Sequence, residues 1–183
     1  MRIIGVESWN DDTIEPREGM KHLLSFLVNN IEGLDLYHRL LQTPTELDYV
    51  IKKAPVKPNS LLYIASHGRP NFVKLGNKSE FDVYLSDLAT SMGKKYKGCG
   101  VHFASCAVLS SPKKEIQDFV DATDVAFVSG YKKYVDFGES SLMDMALINR
   151  WAWSTYHRPM FKKLTRDYRY MVETNGFNYY LKT

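Results

Sequence analysis

Two stretches of this chain, LLYIAS at residues 61–66 and VHFAS at 101–105, are apolar at nearly every position. A surface helix would show apolar side chains at three- and four-residue spacing, and a half-buried strand would alternate. Runs this short and this continuous predict central strands covered on both faces, as in a parallel sheet packed between helices. The flanking sequence supplies the rest of such a sheet. Arg2 to Ser8, Leu34 to Leu41 and Val125 to Ser129 read as further strands, and FNYYL near the end as a sixth, at the edge. Between them lie helical patterns: Met20, Leu23, Leu24, Leu27 and Ile31; Leu47, Val50, Ile51 and Ala54; Ile116, Phe119 and Val120. Helices are further expected at about Ser86 to Lys95, at 139–155 and at 159–173. Strands alternating with helices at this pitch predict βαβ units. The fold class expected is α/β: one three-layer α-β-α sandwich over residues 1–183 with a mostly parallel sheet of about six strands.

Local signals place some boundaries. Thr43-Pro44-Thr45-Glu46 carries a helix cap, a proline preset for the first turn and a glutamate three residues after the cap. Ser111 before Pro112 is read the same way. Residues 71–85 interrupt the alternation and read as a hairpin turning near Gly76-Asn77.

Composition excludes several classes. The chain is 44% apolar and 25% charged, which is globular, and its net charge of +3 is too small to argue for nucleic acid. No apolar stretch approaches the roughly 20 residues of a membrane span, and MRIIGVESWNDD does not read as a signal peptide. Two cysteines, Cys99 and Cys106, make no disulfide framework. A reducing cytoplasm is the expected location, with Cys106 a free thiol. No nucleotide-binding glycine motif or CxxC pair occurs, and no cofactor or metal is expected.

The chemistry is concentrated where the two apolar runs stop. The first ends on His67-Gly68 and the second on Cys106. Sites in open α/β sheets form outside the carboxyl ends of the strands. If these two strands are neighbours, about 4.8 Å apart, an imidazole and a thiol reach over one crevice. A free thiol has a pKa of about 8.5, and its thiolate is the nucleophile. A nearby imidazole takes the thiol proton and returns it to a leaving amine. Gly68 lets the backbone approach a substrate closely. Its N–H and that of Cys106 are expected to form an oxyanion hole, where one donor is worth about 3 kcal/mol. The arginine that a cysteine phosphatase needs six residues after its nucleophile is here Pro112.

An apolar strand ending in His-Gly, followed by one ending in Ala-Ser-Cys, resembles the caspase–hemoglobinase fold of the clan CD cysteine peptidases, which includes caspases, legumains, gingipains, separases and CHAT domains. IASHG is similar to the histidine block and FASC to the cysteine block, and VAFVSGYKKYVDFGESSLMDMAL follows the layout of the CHAT segment after the fifth strand. The resemblance implies Cys106 as nucleophile, His67 as general acid/base, and a peptide or protein substrate that pairs with Ser129-Gly130-Tyr131 as an added strand. It implies regulated cleavage in stress or defence signalling, with an activating partner or ligand. The caspase glutamine two residues before the cysteine is Ala104 here, so aspartate specificity does not carry over. Asp136 in the pocket would favour Lys or Arg before the scissile bond, whereas Lys132 and Lys133 would favour an acid. The rival reading is a non-catalytic relative that binds a small ligand or protein partner. His22 and His102 are read as packing or surface residues and Cys99 as structural, and His38 and His157 carry no companion motif.

Overall fold

The structure is a computed structural model and describes residues 1–8, 19–76 and 78–182. Strands β1 (Arg2–Ser8), β2 (Asp35–Leu40), β3 (Leu61–Arg69), β6 (Gly100–Ala104), β7 (Phe127–Tyr131) and β8 (Phe177–Leu181) form one sheet in the order β2-β1-β3-β6-β7-β8. The first five are parallel and β8 runs antiparallel on β7. Two short strands, β4 (Phe72–Lys74) and β5 (Asp82–Tyr84), fold back from the end of β3 as the hairpin expected at 71–85. Part of its turn, Asn77, lies outside the described residues.

The continuous apolar runs are explained by what covers them. Leu61, Tyr63 and Ala65 point to one face of the sheet and Leu62 and Ile64 to the other, and all are at most 1% exposed. Over the second face lie α2 (Pro44–Lys53), α3 (Leu85–Met92) and α4 (Lys113–Thr123), which bury Leu47, Leu88 and Phe119 among others. Over the first lie α1 (Gly19–Asn30), α5 (Phe137–Ala152) and α6 (His157–Asp167), burying Leu24, Leu147, Trp151 and Phe161. Each such side chain stabilises the fold by about 1.5–3 kcal/mol before entropy is counted. The result is α/β with helices on both faces of a mostly parallel mixed sheet. Among the described residues, no helix is long and apolar enough to cross a membrane.

Several boundaries differ from those the sequence predicts. The capping box forms at Thr43: its hydroxyl accepts from Glu46 N–H at 3.2 Å, and the Glu46 carboxylate accepts from Thr43 N–H at 3.0 Å. Ser111 does not cap α4. Its hydroxyl donates to Val108 O at 2.8 Å, closing a short turn behind Cys106, and Pro112 holds the cap position. The last expected helix breaks at Tyr168, whose backbone leaves the helical region (φ −115°, ψ 34°), and resumes as α7 (Arg169–Asn175). Phe161 and Leu164 are core residues, with Tyr168 and Met171 packed against the same cluster. Strand β7 starts two residues later than the sequence suggests, so Ser129, Gly130 and Tyr131 lie within it.

Candidate active site

The register puts the two motif-bearing strands side by side. Ala65 on β3 aligns with Ala104 on β6, and two further residues along each chain are His67 and Cys106. The chain leaving β6 is tied to β3 by Ser105, whose hydroxyl accepts from Ser66 N–H at 3.2 Å and donates to Ile64 O at 3.3 Å. Gly68 lies against it so closely that a Cβ there would be 2.5 Å from the Cys106 carbonyl oxygen. His67, Gly68 and Cys106 line one cleft of about 270 Å³ with Arg69, Lys74 and Tyr134.

The cysteine is held by its own loop and by the segment after β7. Its thiol accepts from Val135 N–H at 3.4 Å and faces Val135 O at 3.7 Å. The next residue, Ala107, adopts the left-handed conformation (φ 53°), uncommon for a residue with a side chain. It is fixed by Ala107 N–H donating to Lys133 O and by Ser110 N–H donating to Ala107 O, each at 2.9 Å. That turn swings the chain away and leaves Cys106 partly exposed on the cleft. On the other strand, Pro70-Asn71 makes a two-residue turn with Asn71 at φ 70°. In such a hairpin the closing pair, Arg69 and Phe72, is the hydrogen-bonded kind, and the next, Gly68 and Val73, is not. The alternation therefore turns the Gly68 N–H away from β4.

Cys99 is different in kind. It is buried, and burial pushes its thiol above the ordinary value. As expected, it serves packing.

The other expected site residues are not brought to the cleft. Ser129, Gly130 and Tyr131 cannot receive an added substrate strand along β7, because both edges are occupied. Gly130 pairs with Phe103 on β6, and Ser129 with Tyr179 and Tyr131 with Phe177 on β8. Asp136 caps α5: one carboxylate oxygen accepts from Gly138 N–H at 2.8 Å and Glu139 N–H at 3.1 Å. Lys133 donates to Glu173 O at 2.7 Å, at the carboxyl end of α7. Asp136→Ala should therefore cost about 1 kcal/mol of stability, the value of a lost cap, read as a lowered urea midpoint. Any cleavage preference should be unchanged.

Sequence reasoning missed a buried polar cluster under β6. His102 Nε2 is 2.8 Å from Asp144 Oδ1, and its Nδ1 is 2.9 Å from the Ser129 hydroxyl. Tyr63 donates to Asp144 Oδ2 at 2.6 Å, and Tyr131 donates to Asp144 Oδ1. Burial, followed by the Asp144 charge, pushes both tyrosine hydroxyls well above their ordinary value, so they remain donors. Serine, histidine and aspartate stand here in the hydrogen-bond order of a hydrolase triad. All three are sealed, however, at 0%, 0% and 1% exposure, and no substrate could reach the serine. The cluster is a tie between α5 and strands β3, β6 and β7. Its signal in the sequence is a lone carboxylate on the apolar face of Met143, Leu147 and Ile148. A second buried carboxylate, Glu7 at the end of β1, accepts from Met20 N–H at 3.0 Å and pairs with His38 at 2.9 Å. His38 thus has a partner that its sequence neighbourhood does not reveal.

The fold and cleft define an α/β protein with a partly exposed thiol and a histidine on neighbouring strand ends. Its family is equally definite. The chain belongs to the family described as "Family of unknown function (DUF6642)", whose model matches residues 25–181, a span that includes the whole cleft. No curated protein matches it.

Proposed function

We propose that the chain is a cysteine endopeptidase of the caspase–hemoglobinase kind. The observation that carries this reading is the convergence of His67, Gly68 and Cys106 on one cleft from two adjacent parallel strands. The parallel sheet, with both motif strands central and side by side, supports the resemblance read from IASHG and FASC.

In this reading His67 takes the Cys106 thiol proton as Sγ attacks the scissile carbonyl carbon. The Gly68 and Cys106 N–H groups receive the negative charge that develops on the carbonyl oxygen, the role in which preorganised donors contribute most. Collapse breaks the C–N bond, and His67 gives its proton to the departing amine, leaving a thioester on Cys106. Water, deprotonated by His67, then attacks the thioester, releases the acid and restores the thiol.

The pairing is tested by alkylation with iodoacetamide at a pH of about 6, where an unassisted thiol is almost wholly protonated. Cys106 should react about 10-fold faster in the wild type than in His67→Ala, and buried Cys99 should stay unmodified in both, reporting an intact fold. Equal Cys106 rates would contradict an acid/base partnership and favour a ligand-binding, non-catalytic role for the cleft.

A further inference from the structure

Among the described residues, the charged lining of the cleft has one sign. Side chains on paired residues of an antiparallel ladder share a face, and so do alternate residues of one strand. His67 pairs with Lys74, and Arg69 lies two residues beyond His67. One face of the β3–β4 hairpin therefore carries three basic side chains, and all three line the cleft that opens on the Cys106 thiol. No acidic residue lines it among the described residues. Among the described residues, neither Arg69 nor Lys74 takes part in any of the protein's ion pairs. By the same rule Asp82, opposite Lys74 on β5, shares its face, but it forms no ion pair with Lys74 and lines a second cleft with Asp48, Glu80 and Asp87. Two cations beside a nucleophile, neither in an ion pair among the described residues, favour the approach of an anion.

We infer that this cleft selects a carboxylate side chain, Asp or Glu, immediately before the scissile bond, with Arg69 and Lys74 as the specificity-determining residues. The assignment rests on the peptidase reading. Arg69 offers the planar fork that matches a carboxylate with two parallel hydrogen bonds, and Lys74 adds a point charge. The lysines nominated by the sequence, Lys132 and Lys133, have no part in this. Lys133 is occupied with the end of α7, and neither lines the cleft.

Two measurements separate this inference from the reading beneath it. The first compares iodoacetate with iodoacetamide as alkylators of Cys106, reagents of similar size that differ in charge. The rate ratio should be about 5-fold higher in the wild type than in Arg69→Ala/Lys74→Ala, and the difference should shrink at 1 M salt. The second uses fluorogenic Ala-Ala-Ala-X amides with X as Asp, Asn, Ala or Lys. Asp should be cleaved at least 10-fold faster than Asn and faster still than Lys. The double variant should lose that preference. An alkylation ratio equal in the two proteins overturns the inference whatever the peptides do, as does faster cleavage after Lys. A ratio that behaves as expected, with no Cys106-dependent cleavage of any peptide, supports an anion-selecting cleft and overturns the peptidase reading instead.

Discussion

Asp144→Ala should destabilise the protein by about 3–5 kcal/mol, because the buried groups that converge on its carboxylate lose the acceptor they share. His102, Tyr63 and Tyr131 each direct a polar atom at the Asp144 carboxylate, and all are completely buried. Without the carboxylate these groups lose their acceptor. A buried donor left unmatched costs about 1–3 kcal/mol. The desolvation that the carboxylate itself suffers is relieved, so the losses do not simply add. Set against a total stability of about 5–15 kcal/mol, the variant should lie near the edge of folding. Asp144→Asn keeps the shape and one acceptor oxygen and should lose roughly half as much. Urea unfolding of the three proteins, with unchanged slope and lowered midpoint, checks this. A loss under 1 kcal/mol in the alanine variant would contradict the account of the cluster as a structural tie.

On the peptidase reading, Gly68→Ala should leave a folded protein that has lost nearly all of the proposed activity. A Cβ at this position would sit 2.5 Å from the Cys106 carbonyl oxygen, 2.7 Å from Val108 Cγ2 and 2.9 Å from Ser105 Cβ. The first of these is backbone, so the clash cannot be relieved by rotating a side chain. Overpacking of this kind costs about 1–3 kcal/mol. The relief available is to push the Ser105–Cys106 segment away from β3, which separates the thiol from His67 and the Gly68 N–H from its target. A displacement of about 1 Å in a reacting group lowers rates on the order of 100-fold. The measurement is kcat/KM on the peptide amide the wild type cleaves best, with the urea midpoint taken in parallel. Wild-type activity at unchanged stability would show that the cleft tolerates what the geometry forbids.

The parts of this molecule legible in the sequence are those fixed by burial on two faces or by bonds within four residues. LLYIAS and VHFAS read as central strands of a parallel sheet, and their pairing as neighbours is what brings His67, Gly68 and Cys106 together. Thr43 and Glu46 close their box with no help from the rest of the fold. What was not legible depends on distant partners. The run from Val125 to Tyr131 is apolar or small throughout, and only its ladders with β6 and β8 decide where the strand begins. Ser129 and Tyr131 thereby become core residues rather than a substrate platform. Asp136 and Lys133 read as specificity candidates, because a helix cap is invisible until the helix ends are placed. Arg69 and Lys74 escaped notice for the same reason: they meet only when β4 folds back on β3. Asp144 was concealed by its helix, where one carboxylate among apolar residues has no meaning until His102, Tyr63 and Tyr131 converge on it.

The measurement that bears most directly on the proposed activity is mass-spectrometric mapping of new peptide termini in a diverse peptide mixture, comparing wild type with Cys106→Ala. The variant removes one sulfur from a partly exposed position and should leave the core intact. The account predicts cuts in the wild-type digest that are absent from the variant, with Asp or Glu before the cut. The same set of cuts from both proteins, or none from a wild type whose Cys106 alkylates at the rate of an unassisted thiol, would contradict it.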